Sequence, residues 1–191
     1  MISEHVDTAQ EPAASRIALS WAGEPGRLEE LTHGMLLGQA DRAAAALTRL
    51  GVRAGDRVAV HLPLVPESVI VTLACGHLDA VRTTLPVGAP AHELASRVAE
   101  AGARVVITAD AGFWDGAVRP VKAVLDRALR SREYRAGARW AAGSGGPGGS
   151  GGSGADDLPG VRAVLVVNRS ARPVGWTPGR DQWWHEALEA E

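Results

Sequence analysis

Apolar residues recur along the chain with two different spacings, which predict helices and strands in turn. From His33 to Leu50 they recur every three or four positions, as in an amphipathic helix with Thr32 as its N-cap and Gly51 as its C-cap. Further helices are predicted at 66–78, 91–101, 118–129 and 181–189. Short runs rich in β-branched residues predict strands at 16–21, 56–63, 81–85, 104–108 and 161–167. This alternation predicts an α/β fold, with a mostly parallel sheet and helices on both faces.

The same pattern divides the chain into four segments. Residues 1–15 form a loose N-terminal segment, and residues 16–135 form an α/β lobe. Residues 136–157 are interpreted as a flexible tether, because positions 143–154 contain only Gly, Ser and Pro and cannot bury apolar area. Residues 158–191 are expected to return to the same lobe as one strand and one short helix.

Charge and composition exclude several classes of protein. The chain of 191 residues has 20 basic and 22 acidic residues, a balance that argues against a nucleic-acid partner. No apolar run approaches the ~18–20 residues that span a bilayer, and the acidic first segment does not resemble a secretory signal. We therefore expect a cytoplasmic protein with no membrane contact. Its single cysteine, Cys75, excludes an intramolecular disulfide and a multi-cysteine metal site.

Few residues suggest chemistry on spacing alone. Lys122 is the only lysine, and it does not follow the glycine loop of a phosphate-binding site. The histidines have no metal-ligand spacing, so no metal site is predicted, and each is interpreted as a satisfied or surface imidazole: His5, His33, His61, His77, His92 and His185. Cys75, in the middle of a predicted helix, is interpreted as a buried, unreactive thiol.

One loop stands out by its place in the predicted architecture. Asp110 and Asp115 flank Gly112 directly after the predicted strand 104–108. Ligands of parallel sheets bind at the carboxyl ends of the strands, so this loop is the best site candidate. A plain turn is the alternative interpretation.

Several phrases of the sequence, taken together, resemble one family. The order and spacing of these phrases resemble the first part of the large AMP-binding domain of the acetyl-CoA synthetases, in the adenylate-forming superfamily. The phrases are LTRLGV (47–52), GDRVAV (55–60), LPLVPE (62–67), LAC (73–75), DAV (79–81), ARVVITAD (103–110), Trp176 and GRDQWWHE (179–186). The resemblance covers residues 16–191 and is interrupted by the tether.

This resemblance implies the activity of an AMP-forming acetate–CoA ligase, with ATP, magnesium and CoA as its cofactors. In the family, the loop for the ATP phosphates and the C-terminal domain with the adenylation lysine follow the matched segment. Lys122 matches an early family position and not that lysine. We therefore expect a truncated protein that has no catalytic residue, is inactive alone and binds no cofactor as an isolated chain.

The resemblance also implies a CoA-facing edge, at which this chain departs from the family. Where the family resembles F-G-G-F-S, residues 86–90 are P-V-G-A-P, and Trp114 and Ala117 occupy positions of arginines that face CoA phosphates. Arginine can fork onto phosphate, whereas tryptophan and alanine cannot. The candidate residues for a degraded CoA-facing edge are Gly88, Asp110, Gly112 and Arg119.

Two alternative functions remain open. In the first alternative, the chain is one half of a split acetate–CoA ligase that a complementary ligase chain completes. Otherwise it is a non-catalytic regulatory or binding paralogue that docks on an intact synthetase.

Overall fold

The fold is built around a five-stranded parallel sheet. A computed structural model describes residues 13–143 and 160–190. After a single 3-10 turn (Ala13–Ser15), the elements are β1 (Ile17–Glu24), β2 (Arg27–Thr32), α1 (His33–Arg49), β3 (Arg57–His61), α2 (Pro66–His77), β4 (Val81–Thr84), α3 (Ala91–Ala101), β5 (Val105–Ala109), β6 (Ala111–Trp114), β7 (Ala117–Pro120), α4 (Lys122–Arg130), α5 (Arg132–Gly143), β8 (Ala163–Val167), β9 (Asp181–Trp183) and α6 (Trp184–Glu189).

The strand order of the main sheet is β4-β3-β5-β8-β9, and every neighbouring pair is parallel. From β3 the chain passes outward to β4 and then returns to place β5 on the other side of β3. The carboxyl ends of β3 and β5 therefore lie side by side where the strand order reverses, with His61 paired to Thr108. In open α/β sheets, this reversal opens a crevice that ligands use.

Helices cover both faces of the sheet, which confirms the predicted fold class. Alternate strand residues point to opposite faces. Val58 and Ile107 belong to a core that includes buried residues of α1, α2 and α6. Ala59 and Val106 belong to a second core that includes buried residues of α3 and α4. Each fully buried aliphatic side chain contributes ~1.5–3 kcal/mol to folding, so both layers of helices are needed for stability.

Two hairpins outside the main sheet account for differences from the prediction. β1 and β2 form an antiparallel hairpin whose turn contains Gly26 at φ 73°. β6 and β7 form another, with Asp115 at φ 50° and Gly116 at φ 72° in a two-residue turn. Positive φ at both turn residues matches the right-handed twist of the strands, and Asp-Gly is a favoured pair for it. The helix predicted from residue 118 is therefore wrong at its start, because 117–120 form β7.

Several other boundaries also differ. Residues 181–183 form β9, so the last helix begins at Trp184. Helix α5 extends to Gly143 and includes residues 136–143, which the prediction placed in the tether. The remaining tether residues, 144–157, and residues 1–12 of the N-terminal segment lie outside the described part of the chain. Among the described helices, none is long and apolar enough to cross a membrane.

Candidate functional site

A cavity of about 340 Å³ opens beside the carboxyl end of β3, where the strand order reverses. The polar and charged side chains in its lining are His61, Asp115 and Arg119. The remaining lining residues are apolar or small: Val87, Gly88, Ala89, Trp114, Pro120, Val121 and Val124. These residues come from β3, the β4–α3 connection, the β6–β7 hairpin and α4, which the fold brings together.

His61 is the most unusual residue of this cavity. Its side chain is 1% exposed, and its Nδ1 lies 3.2 Å from the Thr108 hydroxyl oxygen. Its Nε2 has no hydrogen-bond partner. Burial lowers the pKa of His61 to about 4, against a smaller opposite effect of the Pro86 carbonyl. The ring is therefore neutral at pH 7, and its Nε2 is buried with it.

The burial of His61 differs from the interpretation that its sequence position suggested. We expected a satisfied or surface imidazole, but the ring is neither on the surface nor fully hydrogen-bonded. The available signal was a histidine at the carboxyl end of a strand in a parallel sheet. That signal becomes specific only when the strand order is known.

Arg119 and Asp115 stand at the rim of the cavity. Arg119 Nη2 lies 3.8 Å from Asp115 Oδ2, and the two side chains are 46% and 78% exposed. The Arg119 guanidinium carbon is 6.0 Å from the centroid of the Trp114 ring. Such an exposed pair contributes little to stability, and its opposite charges leave the cavity lining without net charge at neutral pH.

The predicted site residues fall into two groups. Gly88, at φ 94°, and Arg119 both line the cavity. Asp110 and Gly112 are not among its lining residues. A Cβ at Gly112 would lie 2.9 Å from the Pro63 ring, so glycine allows β6 to pack closely against Pro63.

Asp110 acts as an acceptor for the loop that follows β8. Its carboxylate is 2% exposed and accepts hydrogen bonds from the backbone N–H groups of Arg169, Ser170 and Arg172 at 2.8–3.3 Å. Backbone donors around a buried carboxylate compensate its desolvation. Asp110 thus holds the loop after β8 against the end of β5.

A second cavity of about 380 Å³ adjoins the first and shares Val87 and Trp114 with it. Trp21 and Phe113 also line it. Trp21 Nε1 donates to the Leu64 carbonyl at 2.6 Å, which fixes the indole in place. Trp114 thus contributes to the walls of both cavities.

Lys122, the first residue of α4, belongs to a buried ionic cluster. Its side chain is 0% exposed, and Nζ donates to both Asp126 oxygens at 2.9 Å, to Asp181 Oδ2 at 2.8 Å and to the Gly175 carbonyl at 3.0 Å. Arg180 Nη2 donates to Asp126 Oδ1 at 2.9 Å. Burial acts to raise the pKa of Asp181, but Arg180, Lys122 and the Thr177 N–H outweigh it and lower that pKa.

Arg169 is likewise buried and paired with carboxylates, next to the β1–β2 hairpin. Its side chain is 2% exposed, with Nη2 2.9 Å from Glu29 and Nη1 3.1 Å from Glu67. Its guanidinium also lies 4.6 Å from the centroid of the Trp21 ring. Burial acts to lower the pKa of Arg169, but the carboxylates of Glu29, Glu67 and Glu24 outweigh it and raise that pKa. This arginine ties β2 and α2 to the loop after β8.

The other side chains that could react or bind a metal are Cys75 and the His, Asp and Glu residues. Burial raises the pKa of the Cys75 thiol, in agreement with the interpretation as a buried, unreactive cysteine. Within residues 13–143 and 160–190, no three His, Cys, Asp or Glu side chains come together in a group that could hold a metal ion.

The parallel sheet, with helices on both faces and a crevice at the carboxyl ends of β3 and β5, defines an open α/β protein. A family model described as AMP-binding enzyme matches residues 6–144. The chain belongs to this AMP-binding enzyme family.

Several acetyl-coenzyme A synthetases are similar to this chain over most of its length. Acetyl-coenzyme A synthetases of Streptomyces avermitilis and Mycobacterium tuberculosis are each 36% identical, over 97% and 98% of this chain. The acetyl-coenzyme A synthetase of Emericella nidulans is 36% identical over 88% of the chain. The chain covers 24%, 25% and 21% of these three proteins, so it spans about a quarter of the length of the curated relatives.

The cavity can be tested against CoA, which the family resemblance implies. Of the residues expected at a CoA-facing edge, the cavity gathers Gly88 and Arg119, together with Trp114, for which the resemblance implies an arginine in the family. Several phosphate groups need several cationic or N–H donors. Arg119 is the one cation among the described lining residues, and Asp115 opposes it. The lining does not fit the phosphate groups of CoA.

Proposed function

We propose that these residues form a scaffold lobe of an acetate–CoA ligase domain and do not catalyse acyl adenylation by themselves. The family match and the parallel sheet support the scaffold role. The observation that carries the second part is the state of Lys122, the only lysine of the chain. Its ammonium group is fully buried and bound to two carboxylates.

This burial removes Lys122 as a source of catalytic charge. A lysine that assists adenylation must reach the reacting phosphate, whereas Lys122 would first have to leave Asp126 and Asp181. Breaking a buried ion pair on one side costs ~3–5 kcal/mol, because a buried charge stays uncompensated. Other segments, in the same polypeptide or another, must therefore supply the lysine and the groups that hold ATP and magnesium.

Two measurements test this proposal. The purified 191-residue chain, given acetate, ATP and magnesium, should release pyrophosphate only at the background rate. A chimera in which this chain replaces the aligned segment of the Streptomyces avermitilis synthetase should retain acetate-dependent adenylation, because it regains the missing segments. Turnover by the chain alone would disprove its inactivity, and a folded chimera without adenylation would disprove the scaffold role.

The edge of the sheet favours a second candidate, in which a separate ligase chain completes the lobe. The edge strand β9 has three residues, and Trp183 in it packs against Trp176 with ring centroids 4.9 Å apart. Trp176 is 41% exposed, so apolar surface is open beside this edge.

Mixing tests this second candidate. The chain and a separate polypeptide with the rest of the synthetase sequence should form a stable complex in analytical ultracentrifugation and gain adenylation together. Trp176→Asp should weaken the complex, whereas Leu28→Asp on the β1–β2 hairpin, at an apolar residue that is even more exposed (65% against 41%), should not. Two polypeptides that sediment independently and stay inactive would contradict a split ligase.

A further inference from the structure

The second cavity, of about 380 Å³, differs from the first in its aromatic lining. Trp21, Phe113 and Trp114 line it, and all three residues are half-buried. The faces of aromatic rings carry negative charge density, so cations pack favourably against them. Glu24 is the one charged residue among the described lining. Aromatic rings and a carboxylate therefore surround one space, and both attract a positive charge.

Close packing holds the two indoles of this cavity in place. The Trp21 indole lies over Gly23, since a Cβ at this glycine would be 2.6 Å from Trp21 Cε2. Trp21 Nε1 is also bound to the Leu64 carbonyl at 2.6 Å. A Cβ at Gly112 would be 3.0 Å from Trp114 Cζ3, so glycine allows this ring to pack closely as well. Rings that are already positioned lose little conformational entropy when a ligand binds.

Both tryptophans already pack with cations of this chain. The Arg169 guanidinium carbon lies 4.6 Å from the centroid of the Trp21 ring, and that of Arg119 lies 6.0 Å from the centroid of the Trp114 ring. Neither arginine is among the described lining residues of the second cavity. The space between the aromatic residues is therefore not taken by either guanidinium group.

The ionic groups beside the second cavity carry a net negative charge. Glu24 pairs with Arg27 at 3.2 Å, and Arg27 also pairs with Glu29 at 2.7 Å. Arg169 pairs with Glu29 and with Glu67. Three carboxylates and two guanidinium groups give this connected cluster a charge of −1 at neutral pH. Such a field favours a cation over an anion in the cavity.

The acceptors of the lining favour a cation without N–H groups. A primary ammonium group has three donors, which need acceptors once the group leaves water. The Leu64 carbonyl already accepts from Trp21, and the Glu24 carboxylate already accepts from Arg27. A quaternary ammonium group has no donor and needs neither acceptor. The aliphatic lining that its methyl groups would contact is formed by Pro63, Leu64, Val65 and Val87.

We propose that the second cavity binds a small organic cation with a quaternary ammonium group, which packs between Trp21, Phe113 and Trp114 and is attracted by the Glu24 carboxylate. A volume of about 380 Å³ is within the range of small-molecule sites. This inference concerns ligand binding, goes beyond the proposed scaffold role and does not depend on it.

Three related ligands test the proposal on the native 191-residue chain, by titration followed with nuclear magnetic resonance. Choline carries the quaternary ammonium group, 3,3-dimethylbutan-1-ol has the same shape without the charge, and ethanolamine has the charge without the methyl groups. We expect choline to bind in the millimolar range and roughly tenfold more tightly than either of the others. An absence of choline binding in this range would overturn the proposal, as would equal or tighter binding of the alcohol or of ethanolamine.

The indole N–H signals show where choline binds. Those of Trp21 and Trp114 should shift as choline is added, because both rings line the second cavity. The signal of Trp176, an exposed tryptophan outside the cavity, should not shift. Choline binding that leaves the signals of Trp21 and Trp114 unchanged would place the ligand elsewhere and overturn the proposal.

A charge-neutral variant tests the role of Glu24. Glu24→Gln keeps the size of the side chain and removes its charge, so the affinity for choline should fall roughly fivefold while that for the alcohol stays the same. The matched change Glu30→Gln, at an exposed carboxylate of β2 outside the cavity, should leave both affinities unchanged. An unchanged affinity of folded Glu24→Gln for choline would contradict the proposed role of the carboxylate.

A second variant tests the aromatic contact. Phe113→Leu keeps an apolar side chain but removes a ring, so it should weaken choline binding roughly fivefold and affect the alcohol less. The matched change Trp176→Leu, outside the cavity, should leave choline binding unchanged. Equal losses for choline and the alcohol in Phe113→Leu would contradict a cation–π contact. Should either variant not fold, the ligand series and the tryptophan signals of the native chain decide.

Discussion

His61 is a polar side chain whose burial is costly to the fold. It stands at the end of β3, buried against Thr108, with one ring nitrogen satisfied and the other without a partner. An apolar residue would fill the same space without a desolvation cost. The buried imidazole therefore costs the fold free energy that an apolar residue would not.

The lowered pKa of His61 predicts how stability depends on pH. In the unfolded chain, His61 takes up a proton as the pH falls below about 6.5. In the folded chain its pKa is about 4, so it stays neutral until the pH is that low. The free energy of unfolding should therefore fall as pH falls from 6.5 to 4, by up to about 3 kcal/mol from this group.

Urea unfolding across this pH range measures the effect. His61→Gln should flatten the profile between pH 6.5 and 4, while His33→Gln, at an exposed histidine, should keep the native slope. A profile that His61→Gln leaves unchanged would show that another group titrates in this window.

Lys122 is a buried cation that stabilises the fold, so its removal should lower the free energy of unfolding. Lys122→Met leaves Asp126 and Asp181 with Arg180 as their remaining side-chain cation, so we expect a loss of ~3–5 kcal/mol in the free energy of unfolding. The matched change Arg97→Met breaks an exposed pair with Glu93 and should cost at most ~0.5 kcal/mol. Similar losses in the two variants, measured by chemical denaturation, would contradict the assignment.

At the scale of elements, a single carboxylate connects two strands of the sheet with the loop beyond them. Asp110 follows β5 and receives three backbone N–H groups from the residues after β8. The loop that it fixes also carries Arg169, which reaches Glu29 on β2 and Glu67 on α2. The hairpin β1–β2 is therefore held to the sheet through Asp110 as well as by its own contacts.

Asp110→Asn should loosen this connection. The amide keeps one acceptor oxygen but loses the charge and gains donors that face other donors, so we expect a loss of ~1.5–3 kcal/mol in stability. Faster amide hydrogen exchange should be confined to 169–172 and the β1–β2 hairpin. Asp115→Asn, at an exposed position whose positive φ asparagine tolerates, should change stability by no more than ~0.5 kcal/mol. Equal effects of the two variants would refute the role of Asp110.

The elements that the sequence predicted well are those with complete local signals. Helix α3 was predicted at its observed bounds, because Gly102 takes a left-handed conformation directly after it. Helix α1 was predicted to within one residue, and the Thr32 hydroxyl accepts from the Met35 N–H as a cap does. By contrast, β7 was mistaken for the start of a helix, because the Asp115-Gly116 turn signal was overlooked.

At the scale of the whole molecule, the class of fold could be predicted, but the site could be predicted only in part. Alternating periodicities imply a parallel sheet with helices on both faces, whatever the order of its strands. The cavity depends on that order, since it joins His61 to residues 87–89, 114–115, 119–121 and 124. Gly88 and Arg119 were predicted on resemblance, whereas His61 was missed because its unpaired nitrogen is a property of the packed interior.

Because Lys122 is fully buried, cleavage at this residue can be used to measure unfolding of the chain. A protease that cuts only after lysine has one cleavage point in 191 residues, and the native fold covers it completely. We expect no cleavage of the folded chain and a single cut on global opening, which yields fragments 1–122 and 123–191. The cleavage rate should rise with urea in step with the unfolded fraction, so gel densitometry of two bands reads the folding equilibrium without any label.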